Sequence, residues 1–444
     1  MHEALTNLPR LSVFIAVFAL IGPGQTALAN GFFLHEKSAI GTGMTNAGMV
    51  ARAGDASTVY FNPAGMTRLP ASLVIGTELL DADIGVSNEG TTATTPGTLG
   101  NPEPVTGRGG SDPIDPTFIS HVYGVYPVNE QLWLGLAVTS PFGITVEYDK
   151  DWFGRYDSFE TEFLTIDIAP SIAWKLNEQW SIGGGVNFQY ADGTLKRALP
   201  DPLNPGGPTA ATDGETKLKG DDWSVGFNVG IIWEPLSSTR LGLHYRSRMN
   251  HTLEGDFKTS GLTGPLAGFN GKTSADTDID LPDIISLGVA QSLSAQLTAY
   301  FEANHYGWGT FDEIRGELGD NRADIVRTQD YEDNWAFAAG LEYEVNNAWV
   351  LRGGVRFDES PADDDARNTS IADADTVALG IGLSYQFADG PAIDAGYQRI
   401  IYDDAPVDSD TDFYAGTATA SQVTTRADYD TDINIFALSL RYTF

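Results

Sequence analysis

The sequence predicts an all-β fold, a 14-stranded antiparallel transmembrane β-barrel over residues 71–444, entered through a non-alternating segment at 30–70. Three observations predict it. From residue 71 onward, runs of alternating apolar and polar or small residues recur fourteen times. The connections between them alternate between short and long. The chain ends on Phe444, at the foot of an apolar row spaced every second residue.

The runs span about 71–85, 117–128, 132–147, 161–176, 180–196, 219–234, 239–257, 276–291, 296–314, 328–345, 349–358, 375–388, 392–403 and 428–444. Alternation is the strand signal because successive side chains point to opposite faces. Ile182, Val186 and Phe188 mark one face of the fifth run. In the last run Phe436, Leu438, Leu440, Tyr442 and Phe444 make the apolar face, with Ala437, Ser439, Arg441 and Thr443 opposite. Ile433 and Ile435 fall on that second face and blur the pattern. A wall between lipid and a lumen needs apolar residues outside and polar ones inside.

Six connections are short: Asn129-Glu130-Gln131, Asn177-Glu178-Gln179, those near Pro235 and Ser292, Asn346-Asn347-Ala348, and Asp389-Gly390-Pro391. The other seven are mostly longer and rich in Gly, Pro, Asp, Ser and Thr. Short turns on one rim and long loops on the other are the outer-membrane barrel pattern. Closure follows from physics, since an open sheet edge in hydrocarbon would leave backbone groups unpaired. Trp133, Trp180 and Trp349 each follow a short turn, where an aromatic girdle at the membrane interface belongs.

Composition agrees. The 60 acidic and 26 basic residues leave a formal charge of −34, which argues against nucleic acid as a partner. There is no cysteine, hence no disulfide scaffold, thiolate nucleophile or zinc ribbon. No mature segment approaches the ~18 apolar residues of a membrane helix, which leaves a barrel open. Residues 1–29 read as a secretory signal peptide: Arg10, the apolar stretch LSVFIAVFALIG, the Pro23-Gly24 break, and Ala27-Leu28-Ala29 before cleavage at Asn30. Residues 30–70, rich in Gly, Ala, Ser and Thr, read as a compact, irregular or partly helical lead-in.

Over nearly the whole mature chain the sequence resembles the FadL-type outer-membrane transporters of long-chain fatty acids, a family that also includes importers of aromatic hydrocarbons. YFNPAGMTRLP carries the most specific likeness, through Asn62-Pro63-Ala64. SPFGITVEYDKDWFGRY, TIDIAPSIAWKLNEQWSIGGGVNFQYA, HTLEGDF, LPD and WVLRGGVRFDESP follow in order. The resemblance implies that 30–70 is a hatch plugging the barrel, with Asn62, Pro63 and Ala64 in it. It also implies that Pro141 and Gly143 mark an inward kink of the third strand that opens the wall sideways. Pro lacks a ladder donor and Gly permits a bend, so the residues suit that role.

By the same resemblance, interior cations hold the ligand's carboxylate. Lys196 or Arg197 in ADGTLKRALPD, and Arg315 in GWGTFDEIRGEL, are the candidates. A salt bridge from Arg315 to Asp312 or Glu317 is the competing reading. Two long loops, RALPDPLNPGGPTAATDGETKL and KTSGLTGPLAGFNGKT, correspond to an outer groove, where Leu262, Leu266 and Phe269 either bind ligand or pack the loop on the rim. The implied function is uptake of long-chain fatty acids or similar hydrophobic molecules by gated passive diffusion, with no cofactor. An uncharged aromatic or alkane hydrocarbon is the alternative substrate.

Other classes compete. The acidic groups Asp363-Asp364-Asp365 and Asp403, Asp404, Asp408, Asp410, Asp412 have Ca²⁺-type ligands but no EF-hand spacing, and read as solvated loops. No H-E-x-x-H, G-x-S-x-G or Walker A motif is present, so no catalytic residue is assigned. A general porin for hydrophilic solutes conflicts with a plugged lumen. The terminal Phe444 looks like a signal for the barrel-assembly machinery, and the expected surroundings are outer-membrane lipid and lipopolysaccharide, with the chain a monomer.

Overall fold

The computed structural model describes residues 31–444 except 111, 321–323, 364 and 389. The signal peptide expected at 1–29, the cleavage at Asn30, and residues Asp364 and Asp389 lie outside the described residues.

Fourteen strands form the wall. In chain order they are Ser72–Asn88, Thr117–Pro127, Leu132–Thr139 with Gly143–Glu147, Glu160–Lys175, Trp180–Leu199, Gly214–Leu236, and Thr239–Arg246 with Met249–Ser260. Next come Gly271–Leu281 with Ile284–Ser292, Leu297–Tyr306 with Glu313–Leu318, Ile325–Thr328 with Asn334–Glu344, and Trp349–Asp358. The last three are Thr376–Gln386, Pro391–Tyr402 with Ala405–Phe413, and Ser421–Thr443. Neighbours run antiparallel. The first strand pairs with the fourteenth from Ser72↔Thr443 to Asn88↔Ala427, which closes the barrel. Several strands reach farther outward than their alternation predicts. Above the bilayer no lipid demands an apolar face, so the signal fades while the ladder continues.

Three of the short turns share one device. Asn129 Oδ1 accepts from the Gln131 and Leu132 amides, Asn177 Oδ1 from Gln179 and Trp180, and Asn346 Oδ1 from Ala348 and Trp349. An Asn side chain at the turn's first position thus substitutes for a backbone carbonyl. Only part of the expected girdle forms beside them. Trp180 and Trp349 are 37% and 40% exposed, and Trp180 stacks on Trp233 with centroids 5.1 Å apart. Trp133 is 7% exposed and points inward, its indole N–H donating to Leu69 O. Strand parity, not position after a turn, decides which way it faces.

Residues 31–71 lie inside the barrel. They form one-turn helices Ala39–Thr42, Met49–Arg52 and Thr58–Phe61, then a 3-10 helix Pro63–Arg68. Such short helices do not persist alone in water. Here they are held by the wall. Ile433 and Ile435, inward on the fourteenth strand, join Leu34, Leu80 and Ile400 in a buried cluster. The inner face is therefore apolar at this patch, where Leu34 of the plug covers it.

Inward glycines let the plug touch the wall. A Cβ at Gly230 would meet Asn62 Oδ1 at 2.0 Å, one at Gly242 would meet Val50 O at 2.2 Å, and one at Gly354 would meet Met44 O at 2.2 Å. A chain of charges adds to the contact. Asp55 binds Arg52, Arg52 binds Glu342, Glu342 binds Arg352, and Arg441 binds Asp394. Ser384 bridges Arg352 to Asp394.

Candidate ligand-binding site

The Asn62 side chain joins three elements. Its Nδ2 donates to Val50 O at 2.9 Å and Ile231 O at 3.1 Å, and its Oδ1 accepts from Ala64 N at 3.1 Å. Pro63 opens the 3-10 helix, where its missing N–H costs nothing. Asn62 is fully buried, so this amide pins the plug to the sixth strand.

The third strand breaks at Ser140, Pro141 and Phe142. Below the break it pairs with the second strand up to Val122↔Val138. Above it, Gly143–Glu147 pairs only with the fourth strand, while Thr117–His121 pairs only with the first. A gap in the wall therefore opens between the second and third strands. The plug fills the space behind it: Leu34 N donates to Pro141 O, and Gly143 N to Phe32 O, both at 2.9 Å. Thr165 Oγ1 accepts from Phe142 N at 2.9 Å and donates to Phe142 O at 2.7 Å, satisfying the backbone that leaves the ladder.

Two cavities flank this plug segment, because Phe32 and Phe33 point to opposite sides of extended chain. On the Phe32 side lies an apolar chamber of about 60 Å³, lined among others by Ile144, Phe163, Leu195, Phe311 and Ile371. Phe32 meets Phe163, Phe311 and Trp308 edge-on at 5.5, 5.3 and 4.9 Å. Outer loops roof the chamber. Asp157 receives the Thr369 amide at 2.7 Å and the Arg327 guanidinium at 2.7 Å, tying two loops together. On the Phe33 side lies a cavity of about 40 Å³ lined by Lys37, His244, Arg246, Glu302, Tyr306 and Arg356 among others.

Parity separates the candidate cations. Leu195 and Arg197 share the inward face of the fifth strand, and Lys196 points outward to Glu160. Arg315 faces out as well, bound to Glu313 at 2.7 Å and Asp324 at 3.3 Å. The structure thus brings neither Lys196 nor Arg315 to the lumen, and Arg315's partners are Glu313 and Asp324, not Asp312 or Glu317. Arg197 lies one inward position beyond Leu195, with its guanidinium over the Phe413 ring at 5.3 Å. Among the described residues no carboxylate oxygen comes within salt-bridge range of it.

In the loop after the seventh strand, Leu262 and Leu266 are buried with Leu199, Tyr156 and Phe413, so they fasten the loop to the rim. Phe269 is 50% exposed and stands free. The acidic run at 403–412 is largely a strand extension: Asp408 binds Arg426 at 3.0 Å, and Asp410 receives the Thr424 hydroxyl. Among the described residues no three His, Asp or Glu side chains converge as metal ligands would.

Sequence reasoning missed the Phe33-side cavity. Burial pushes the Lys37 ammonium below its ordinary pKa and Glu36 above its own. Burial, with Arg356 adding to it, pushes His35 down to about 3, so this imidazole is neutral. The strand glycines, one in nearly every run, were the signal that the plug approaches the wall all around.

The sequence profile described as outer membrane protein transport protein (OMPP1/FadL/TodX) matches residues 21–444. The chain belongs to that family. It is an outer-membrane β-barrel transport protein. The long-chain fatty acid transport protein of Escherichia coli (strain K12) is 27% identical over 403 residues, covering 83% of this chain and 87% of that one. Outer membrane protein P1 of Haemophilus influenzae is 25% identical over 467 residues, covering 98% and 99%. Among solved structures, a Pseudomonas aeruginosa FadL homologue superimposes with TM-score 0.80 at 23% identity, covering 93% of this chain and all of that one. The Pseudomonas putida toluene transporter TodX gives TM-score 0.65 at 15% identity, covering 93% and 99%. At these identities the structures speak for the fold.

Proposed function

We propose that this member of the FadL family takes up long-chain fatty acids, or hydrophobic carboxylates of similar shape, by gated diffusion through the side of the barrel. One observation carries the choice of a carboxylate: Arg197 is an inward cation without a carboxylate partner, one step beyond an apolar chamber. A fatty acid needs that pairing, an apolar slot with a cation at its end.

The ligand first meets the outer loops, where Phe269 offers an exposed apolar contact. Its carboxylate then binds Arg197 and its tail enters the chamber above Phe32. Movement of residues 32–34 away from Pro141 and Gly143 opens the gap between the second and third strands. The tail passes into the outer leaflet without crossing water. No covalent step is involved. The chain inserts as a monomer, since its barrel closes on itself, and its outward apolar residues meet outer-membrane lipid and lipopolysaccharide. Phe444, with Tyr442, Leu440 and Leu438, serves recognition by the barrel-assembly machinery.

A second substrate reading has its own support. The chamber's aromatic edges at Phe163 and Phe311 suit a flat, uncharged hydrocarbon. Equilibrium binding of oleate and of toluene to purified protein separates the two. Oleate binding that Arg197→Met weakens supports the carboxylate reading. Toluene binding alone, indifferent to that substitution, refutes it.

A further inference from the structure

The Phe33-side cavity has the chemistry of an anion site that the transport path described so far does not use. Lys37 is 1% exposed, and among the described residues no carboxylate oxygen lies within salt-bridge distance of its Nζ. Its ammonium donates to Leu34 O and faces the Phe33 and Tyr60 rings at 5.5 and 5.8 Å. An ammonium held by one carbonyl and two ring faces has unused donor capacity. His244, buried on the same cavity, leaves Nε2 without a partner. Arg246 and Arg356 line the cavity too, each ion-paired, to Asp167 at 3.1 Å and to Asp358 at 2.7 Å, so the Lys37 ammonium is the cation left without a carboxylate. Glu302 is the one carboxylate in the lining. Glu302 is already engaged by the Val50 amide at 3.1 Å.

Chemistry restricts what fits. Charged and polar side chains line most of this cavity, whereas apolar ones line most of the Phe32-side chamber. A tail must stay on the other side of Phe33, among Phe32, Phe142 and Trp308. The two cavities are divided by residues 32–34, the same segment that hydrogen-bonds to Pro141 and Gly143 at the kink.

We propose that this cavity is a second head-group site, where Lys37 and His244 take the ligand's carboxylate after it leaves the apolar chamber. This rests on the carboxylate reading of the function. On binding, Lys37 Nζ exchanges Leu34 O for the carboxylate. Leu34 then loses one of the two bonds that fix it, the other being its amide to Pro141 O. The plug segment behind the wall gap loosens when an acid has arrived, and the ligand's own charge works the gate.

The test compares oleate with its uncharged methyl ester in cells lacking their own importer and expressing the full chain. Purified protein supplies the binding constants. Wild type, Lys37→Met, Lys37→Arg and His244→Leu are compared. His244→Leu removes an unpartnered ring, so it serves where Lys37→Met fails to assemble, and migration of the unheated barrel in detergent gels reports assembly. His244→Leu is expected to slow oleate uptake about tenfold, the loss of roughly one charge-assisted hydrogen bond, with methyl oleate uptake near wild type. Lys37→Met removes the bond to Leu34 O along with the charge, so it is expected to raise methyl oleate uptake several-fold and to shrink the wild-type preference for the acid. Lys37→Arg should restore most of that preference. Equal slowing of acid and ester in His244→Leu marks its ring as structural and overturns the proposal. So does methyl oleate uptake unchanged in Lys37→Met. A wild type that takes up the ester but neither binds nor imports oleate overturns the carboxylate function itself, a result distinguishable because it precedes any substitution.

Discussion

Arg52 of the plug and Glu342 of the tenth strand lie 3.1 Å apart, and the same Glu342 oxygen receives Arg352 at 2.6 Å. Arg52 also holds Asp55 at 2.6 Å. One buried carboxylate thus joins a cation of the plug to a cation of the wall. Replacing Arg52 by Met leaves Asp55 and Glu342 short of a partner, which costs about 3–5 kcal/mol when one member of a buried pair is removed. The wall ladder is untouched. The expected result is a lower thermal midpoint for plug release and a measurable ion conductance in planar bilayers, with barrel migration in gels unchanged.

Acid should act on the same clamp. Burial opposes ionisation of Asp55, but Arg52, Arg441 and Ser57 together hold its carboxyl below the ordinary range. A folded pKa below the unfolded value means the stabilisation is complete above the unfolded value, about 3.9. It disappears as pH falls through the folded one. Plug stability should therefore be insensitive to this group from neutrality down to about pH 4, then drop. Conductance measured against pH for wild type and Asp55→Asn checks this, the variant losing the step.

Asn62 and Gly230 form a matched pair. Asn62→Ala strands the Val50 carbonyl and the Ala64 amide, each costing about 1–3 kcal/mol if buried without a partner. Gly230→Ala puts a methyl 2.0 Å from Asn62 Oδ1, which has no room to yield because its amide is bonded on both sides. Both variants should assemble as barrels with a loosened plug. Differential scanning calorimetry should show the low-temperature transition fall in each. Combining them should cost less than the sum, since the methyl then occupies the space Asn62 left.

The kink depends on Thr165. Thr165→Val keeps the volume and removes both bonds to the Phe142 backbone. Oleate uptake should fall several-fold while oleate affinity in the chamber changes little, because Thr165 is outside its lining. Loss of affinity equal to loss of uptake would place Thr165 in the binding step and contradict this.

Arg315→Ala should leave oleate affinity within about twofold, a change of under 0.5 kcal/mol. Arg315 is 41% exposed and engaged with Glu313 and Asp324 on the outer face. Isothermal titration beside Arg197→Met decides which cation reads the head group.

Most of the wall was legible because lipid imposes a period of two on its strands, and the signal was weakest where lipid is absent. The extension Ala405–Phe413 carries Asp408, Asp410 and Asp412 outward and reads as an acidic loop until its cross-strand partners Arg426, Thr424 and Gln422 are known. Ile433 and Ile435 read as faults in the alternation because the plug they touch is more than three hundred residues away in the chain. Trp133 was misplaced for the same reason: its partner, Leu69 O, belongs to the plug.

The sequence by itself determined a closed antiparallel barrel with a short-turn rim and a long-loop rim, since these follow from local periodicity, turn chemistry and the need to pair every backbone group in hydrocarbon. Pro141 and Gly143 marked a break in the third strand, and its inward kink was implied by the family resemblance. Only the tertiary structure decided which cations face the lumen. Lys196 and Arg197 are neighbours in sequence and opposites in space, and one residue of register separates a surface ion pair from an interior charge. It also decided that Lys37 of the plug and His244 of the wall line one buried cavity, a meeting that no local pattern encodes.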